Sequence, residues 1–231
     1  MKSIILSNLL FCGIACWAGA SHPTGPDNRP MIQKKVKIYD SRYCLLVQLT
    51  LPLPKSDGRI GGEYLIDNTI NDTYALSDSR NPIIYMVSYS YKGYFWQGVF
   101  GDIAVEISTL HCNSAGCDWK QRDKILVYWK QQIEKYNVDN INNGEADYRW
   151  LQPTLESANN IEFVHLVEQS SSGVKIKQYY CIPVNSNLQV MIKFDLIDNS
   201  TRPGLVKGDW REGAVKLLNY ITNSMQLSDC Q

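Results

Sequence analysis

Short segments with strand-type hydrophobic patterns make up most of the chain after its first thirty residues. Some alternate between apolar and polar positions, and others are brief runs of β-branched, aromatic and aliphatic residues. Both patterns are typical of β-strands. The predicted strands are 32–39, 43–51, 83–91, 94–108 (one strand or two), 162–168, 174–182 and 188–197.

Two further segments repeat apolar residues every three or four positions, which indicates amphipathic helices. The first is predicted at 119–136, after the capping pair Asp118 and Gln121, and the asparagine-rich run 137–143 should end it. The second begins with a capping box, Asp209 and Glu212. Its apolar stripe is Trp210, Ala214, Leu217, Leu218, Ile221 and Met225.

Each half of the chain therefore contains several strands followed by one helix. This order predicts an α+β fold, an antiparallel sheet with two amphipathic helices packed on it, built from βββα-type halves. Residues 21–31, rich in proline and glycine, should be an unstructured lead-in. Residues 32–231 are expected to form one domain, with a division into two lobes near 140–150 as the alternative.

The first twenty residues have the pattern of a signal peptide. Lys2 precedes the mostly apolar run 4–18, and Ala18-Gly19-Ala20 has the small residues that a signal peptidase requires. The protein is therefore expected to be exported, to a periplasm or to the cell exterior. Lipid attachment at Cys16 is the alternative. No later apolar run is long enough to predict a transmembrane span in the mature chain.

Composition and charge narrow the class of protein. The chain has 231 residues, of which 44% are hydrophobic and 20% are charged, as in ordinary globular proteins. Its 23 basic and 23 acidic residues give a formal net charge of zero. Because nucleic-acid binders usually carry a strong basic excess, we expect no nucleic-acid partner.

Export makes the cysteines candidates for disulfide bonds. Cys112 and Cys117 flank a turn-forming tetrapeptide and are the easiest pair to close. Cys44 and Cys181 fall in predicted strands and would join across a sheet, whereas Cys230 would tie down the C-terminal helix. The five cysteines that follow the predicted signal peptide leave one over, and the spacing alone leaves the connectivity open.

Few residues form a recognisable catalytic or metal-binding pattern. His111 with Cys112, Cys117 and Asp118 would suit zinc, but in an exported chain the two sulfurs are expected to bond to each other. We therefore expect no metal and no cofactor.

His165, flanked by apolar residues in a predicted strand, is expected to be structural. Its alternative role is base to a thiol, Cys44 or Cys181. No nucleophile elbow or phosphate-binding glycine loop occurs. No catalytic residue is therefore assigned.

Aromatic residues are concentrated between positions 85 and 100. Rows of tyrosine beside serine suit a recognition surface for protein or sugar, and packing of the sheet is the alternative. The candidate binding residues are Tyr85, Tyr89, Tyr91, Tyr94 and Trp96. Asp102 and Glu106, which alternate onto one strand face nearby, are the carboxylate pair that a glycan hydrolase would use.

The C-terminal residues carry a resemblance to a known group of proteins. The run Tyr179-Tyr-Cys-Ile-Pro183, the strand 188–197 and the helix from Trp210 to the tail at Leu227 look like the end of small exported bacterial proteins. Those proteins form an α/β/α sandwich that resembles the extrinsic PsbP protein of photosystem II. The match covers about the last fifty residues and implies a scaffold without a catalytic residue.

In export, size and α+β pattern the chain also resembles immunity proteins that neutralise periplasmic toxins. The sequence therefore predicts a non-enzymatic, exported interaction protein of the cell envelope, of the immunity type, with a protein partner. The alternative is a cell-wall glycan-binding module or glycan hydrolase that uses the aromatic strand surface.

Overall fold

The computed structural model describes residues 30–39, 42–52, 63–67, 73–75, 83–92, 99–111, 118–142, 147–198 and 210–230. Most of these residues form strands with antiparallel neighbours, and two segments form helices, α1 at Arg122–Asn142 and α2 at Trp210–Asn223. The predicted α+β fold class is therefore confirmed.

The described strands are arranged in two sheets, whereas the sequence predicted one. The small sheet contains β1 (Met31–Tyr39), β2 (Cys44–Pro52), β4 (Thr73–Ala75) and β12 (Gln226–Asp229). The large sheet contains β3 (Glu63–Asp67), β5 (Ile83–Lys92), β6 (Val99–His111), β7 (Tyr148–Trp150), β8 (Thr154–Ala158), β9 (Ile161–Ser170), β10 (Lys175–Pro183) and β11 (Leu188–Asp198).

The large sheet joins strands from both halves of the chain. Its strand order is β3-β5-β6-β11-β10-β9-β7. Strand β8 also pairs with β9, but it is not part of this order. β6 pairs antiparallel with β11 from Gly101 opposite Asp198 to His111 opposite Leu188. Strands that precede and follow residues 140–150, the predicted lobe boundary, therefore belong to one sheet.

The small sheet brings the C-terminal strand next to the first strands. β2 lies between β1 and β12 and is antiparallel to both, while β4 adds to β1 in parallel. A disulfide joins Cys44 to Cys230 beside this pairing, with 5.3 Å between their Cα atoms. Cys181 is unpaired and buried in the large sheet, so a Cys44–Cys181 bridge is excluded. Cys112 and Cys117 lie outside the described residues.

The main core lies between the small sheet and one face of the large sheet, which we call the core face. Helix α2 packs into this core through Ala214, Leu217, Leu218 and Ile221, as its predicted stripe requires. It contacts β2 of the small sheet and β6 and β11 of the large one. A second core forms where α1 covers part of the opposite face, which we call the α1 face. Its buried residues are Trp119, Ile125, Ile133, Val164, Leu166 and Cys181.

Helix α1 differs from the prediction at both ends. Trp119 lies in the turn before the helix, 2% exposed, and its backbone N–H donates to the carbonyl of Ser186 at 2.8 Å. The helix continues through Asn137, where the sequence predicted a stop, because the Asn137 side chain bonds to the backbone of Trp150 and so offsets its low helix propensity. Within the described ranges, neither helix has the length and hydropathy needed to cross a membrane.

Two glycines provide a matched test of this packing. Gly101 of β6 is buried against the Trp210 ring, and a Cβ atom there would collide with that ring and with the carbonyl of Ile197. Gly213 of α2 has open space around its Cα. We expect Gly101→Ala to lower the free energy of unfolding by about 1–3 kcal/mol. Gly213→Ala should leave it unchanged or raise it by up to about 1 kcal/mol. Urea unfolding of both variants measures the difference, and equal effects would contradict this packing.

The disulfide provides a second test. It joins residues 186 positions apart, so removing it frees a large loop in the unfolded chain. We expect Cys44→Ser and Cys230→Ser each to lower the free energy of unfolding by about 2–5 kcal/mol. The double variant should match the single ones, because either substitution already removes the whole bridge. Thermal unfolding without reductant measures this, and additive losses would contradict a Cys44–Cys230 bridge.

Candidate functional site

The predicted aromatic surface on β5 is largely part of the core. Tyr85 and Tyr89 are each 2% exposed and lie in the main core together with Val87. Their burial removes both rings from any recognition surface and favours the packing alternative. Tyr91 lies in β5 opposite Gly101, while Tyr94 and Trp96 lie outside the described residues.

The predicted carboxylate pair of β6 lies on the α1 face, with Asp102 opposite Ser90 and Glu106 opposite Met86. The two residues are four positions apart on one strand, which separates their Cα atoms by about 13 Å. Paired carboxylates of glycosidases are about 5–10 Å apart. Since both side chains leave the strand in the same direction, Asp102 and Glu106 do not form such a pair.

Glu106 instead belongs to a group of charged side chains that the strand register brings together on the α1 face. Lys193 of β11 lies opposite Glu106, and Lys177 of β10 lies opposite both Asp195 of β11 and Glu168 of β9. Every direct cross-strand pair in this group joins opposite charges. We call these five residues, Glu106, Glu168, Lys177, Lys193 and Asp195, the charge cluster.

Two ion pairs hold the charge cluster together. Lys177 Nζ lies 2.6 Å from Glu168 Oε2, and Lys193 Nζ lies 3.0 Å from Asp195 Oδ2. The carboxylates are the buried members, because only 9% of the Glu168 side chain and 4% of the Asp195 side chain are exposed. The lysine side chains are about a third exposed or less, which keeps the ammonium groups at the surface above the acids.

An aromatic pair lies beside the charge cluster. The rings of Trp150 and Tyr179 are 5.4 Å apart, and Lys193 Nζ is 5.9 Å from the centre of the Tyr179 ring. Burial raises the pKa of the Tyr179 hydroxyl, and the negative charges of Asp195, Glu168 and Glu106 raise it further. The hydroxyl therefore stays protonated at all ordinary pH values and is available as a donor near three carboxylates.

Helix α1 fixes the position of this aromatic pair. The Asn137 amide donates to the carbonyl of Trp150, and the backbone N–H of Trp150 donates to the Asn137 side-chain oxygen, both at 2.9 Å. Trp150 also lies opposite Glu168 in the β7–β9 pairing. The edge strand β7 is thereby held between α1 and β9, with its tryptophan next to the charge cluster.

His165 occupies the core face. Its Nδ1 lies 2.9 Å from Glu156 Oε1, which also accepts a hydrogen bond from Thr154, and its ring stacks on Tyr180 at 4.6 Å. Burial raises the pKa of Tyr180 to about 12. These contacts are those of a structural histidine, and its buried Nε2 atom has no hydrogen-bond partner among the described residues.

The thiol–histidine alternative does not fit this arrangement. Cys44 is bonded to Cys230, and Cys181 packs in the second core on the α1 face, whereas His165 lies on the core face. Burial also raises the pKa of the Cys181 thiol, which disfavours the reactive thiolate.

The zinc pattern predicted around His111 includes residues 112–117, which lie outside the described chain. Among the described residues, no three metal-binding side chains are grouped closely enough to hold an ion. In the charge cluster, lysines alternate with the carboxylates, and each lysine pairs with one of them, Lys177 with Glu168 and Lys193 with Asp195.

The sequence predicted Glu106 as a candidate residue, but it did not predict the other four members of the charge cluster. It also did not predict Trp150 and Tyr179 as site residues. A signal was present in β11, where Lys193 and Asp195 interrupt an otherwise apolar strand at alternate positions. Charges at alternate positions share one face, which indicates a polar patch on a strand that is otherwise buried.

Comparisons of the chain with protein-family models, with curated proteins and with solved structures find no match. The resemblance of the C-terminal residues to PsbP-like sandwich proteins, and of the whole chain to immunity proteins, therefore stays a prediction.

The hydrogen bonds of Glu156 lead to a pH-dependent contribution to stability. Burial raises the pKa of Glu156, but hydrogen bonds from His165 and Thr154 and the charges of His165 and Lys175 outweigh it, so the pKa lies below its usual 4.5. A carboxyl group whose pKa is lowered by folding stabilises the protein above its unfolded pKa, and this contribution is lost as the pH falls through the folded pKa.

We therefore expect the difference in unfolding free energy between the wild type and Glu156→Gln to shrink as the pH falls from about 5 to about 3. Urea titrations at several pH values measure it. Glu134→Gln, at an exposed position of α1, is the control and should show no such trend. A constant difference for Glu156→Gln would contradict this account.

Proposed function

We propose that this protein is an exported, non-enzymatic binding protein of the cell envelope, and that it neutralises a toxin or effector in the manner of an immunity protein. The signal-peptide pattern of residues 1–20 supports export. The observation that carries the binding proposal is the charge cluster beside the Trp150–Tyr179 pair on the α1 face.

This combination has the chemistry of a protein-binding surface. Tryptophan and tyrosine are, with arginine, enriched among the residues that dominate binding energy, and such residues lie in well-packed pockets from which the partner excludes water. Alternating charges on neighbouring strands specify the partner, because a mismatched surface would bury unpaired charges. In this protein the aromatic pair is half-buried, and the Glu168 and Asp195 carboxylates are almost wholly buried, so part of the desolvation is already complete before binding.

Affinity capture from the native envelope fraction tests this proposal. The tagged, exported chain should recover one protein in stoichiometric amount, and the activity of that partner should fall when the chain is added back. Glycan recovered without any protein would overturn the proposal.

A pair of double variants connects the captured partner to the site. Replacing a buried ion pair by apolar residues of similar volume is often neutral or stabilising, so Lys177→Met/Glu168→Met should keep the fold while removing two recognition charges. We expect its affinity for the partner to fall at least about tenfold, with an unchanged or higher melting temperature.

The matched control is Lys216→Met/Glu212→Met on α2. That pair has the same 2.6 Å separation, but its side chains are 62% and 66% exposed. Its affinity should stay within about twofold of the wild type, because exposed pairs contribute little. Isothermal titration calorimetry and thermal unfolding measure both quantities. Equal affinities for the two double variants would place the binding surface elsewhere.

The aromatic pair also supports a second proposal, a glycan-binding module. Aromatic rings beside carboxylates suit a sugar, since the ring stacks on the apolar face of the pyranose and the carboxylates accept hydrogen bonds from its hydroxyl groups. The Trp150–Tyr179 pair would then replace the buried Tyr85 and Tyr89 as the stacking surface. Cell-wall fragments should bind the wild type, and Trp150→Ala should abolish that binding while Tyr148→Ala, on the same strand, should not.

A further inference from the structure

We infer that the charge cluster receives one guanidinium group of the partner, an arginine side chain that bridges Glu106 and Asp195 across β6 and β11. This inference rests on the proposed function, because it names the chemistry that the partner must present to the α1 face.

The charge balance of the cluster leaves one negative charge without a counter-ion. Three carboxylates face two ammonium groups, of which one pairs with Glu168 and the other with Asp195. Lys193 lies directly opposite Glu106 in the register, yet its Nζ turns to Asp195 and the Tyr179 ring. Within the described part of the chain, Glu106 has no ion-pair partner.

A second, independent feature, an unpartnered oxygen of Asp195, indicates where a cation from the partner would bind. Asp195 is the most deeply buried acid of the cluster, and its Oδ1 atom has no hydrogen-bond partner among the described residues. An ionised oxygen in that setting costs free energy that a charged donor would recover. The residues that follow Asp195 across the sheet toward β5 are small, Ala104 and then Ser88, so this side of Asp195 carries no long side chain in the same row.

The geometry favours guanidinium over ammonium. Glu106 lies opposite Lys193 and Asp195 lies opposite Ala104, so the two acids are diagonal neighbours with Cα atoms about 7–8 Å apart. A planar guanidinium has donors on two sides and reaches two such carboxylates at once, whereas an ammonium is a compact point charge. The Tyr179 ring already lies beside one cation, the Lys193 ammonium 5.9 Å from its centre, and an aromatic ring attracts a nearby guanidinium in the same way.

The probe that tests the inference is N-acetyl-arginine amide, titrated into the full, oxidised protein and followed by NMR or calorimetry. We expect saturable binding in the millimolar range, at least about fivefold tighter than that of N-acetyl-lysine amide. Glu106→Gln should weaken arginine-amide binding at least fivefold, and Asp195→Asn should do the same if its melting temperature shows that it is folded. Glu134→Gln on the exposed surface of α1 is the matched control and should bind as the wild type does.

Each outcome decides the inference. Absence of saturable binding, equal binding of the lysine amide, or wild-type binding by Glu106→Gln would overturn it, and Glu106→Gln suffices because its side chain is only half-buried. The probe needs no natural partner, so failure of the two proposals is distinguishable. A captured partner with no arginine-amide binding contradicts this inference alone, whereas amide binding with no captured partner contradicts the proposed function.

Discussion

The antiparallel register between β6 and β11 is the constraint on which both faces of the protein depend. It pairs eleven residues of each strand without interruption and joins segments separated by the whole of α1 and β7–β10. The register turns Phe194 into the main core and Asp195 onto the α1 face. A slip of β11 by one residue would reverse both, burying a carboxylate among aliphatic side chains. The hydrophobic core therefore sets the alignment that the charge cluster needs.

Stability alone does not account for the charge cluster. Burying the Glu168 and Asp195 carboxylates carries a desolvation cost that their ion pairs recover only in part, and apolar residues of similar volume would serve the fold at least as well. Next to the charge cluster, both hydrogen-bonding groups of the Asn137 side chain bond to the backbone of Trp150. The polar groups are buried at a cost in stability, and a separate helix holds the aromatic pair beside them, which supports the recognition surface proposed above.

The sequence predicted those parts of the molecule whose pattern is complete within one element. Helix α2 and strand β11 end within about two residues of their predicted limits, because a stripe or a run of apolar residues defines each one. Tyr85 and Tyr89 do alternate as predicted, but a row of tyrosines and a row of serines are each compatible with either face of a sheet. Short polar edge strands such as β8 carry no apolar pattern at all, so they were missed.

The charge cluster was beyond prediction for a different reason. Its members come from four strands, and their alignment depends on two hairpins and on the irregularity in the β9–β10 pairing near Lys175. Each of these four strands has a paired neighbour on both sides, which makes the part of the large sheet that carries the charge cluster rigid. The buried acids Glu168 and Asp195 are held in place by their surroundings, whereas Lys177, Lys193 and the half-buried Glu106 keep more freedom at the surface. In the proposed complex a partner would therefore meet two carboxylates that are already positioned, and the side-chain entropy lost by this protein would be confined mainly to Lys177, Lys193 and Glu106.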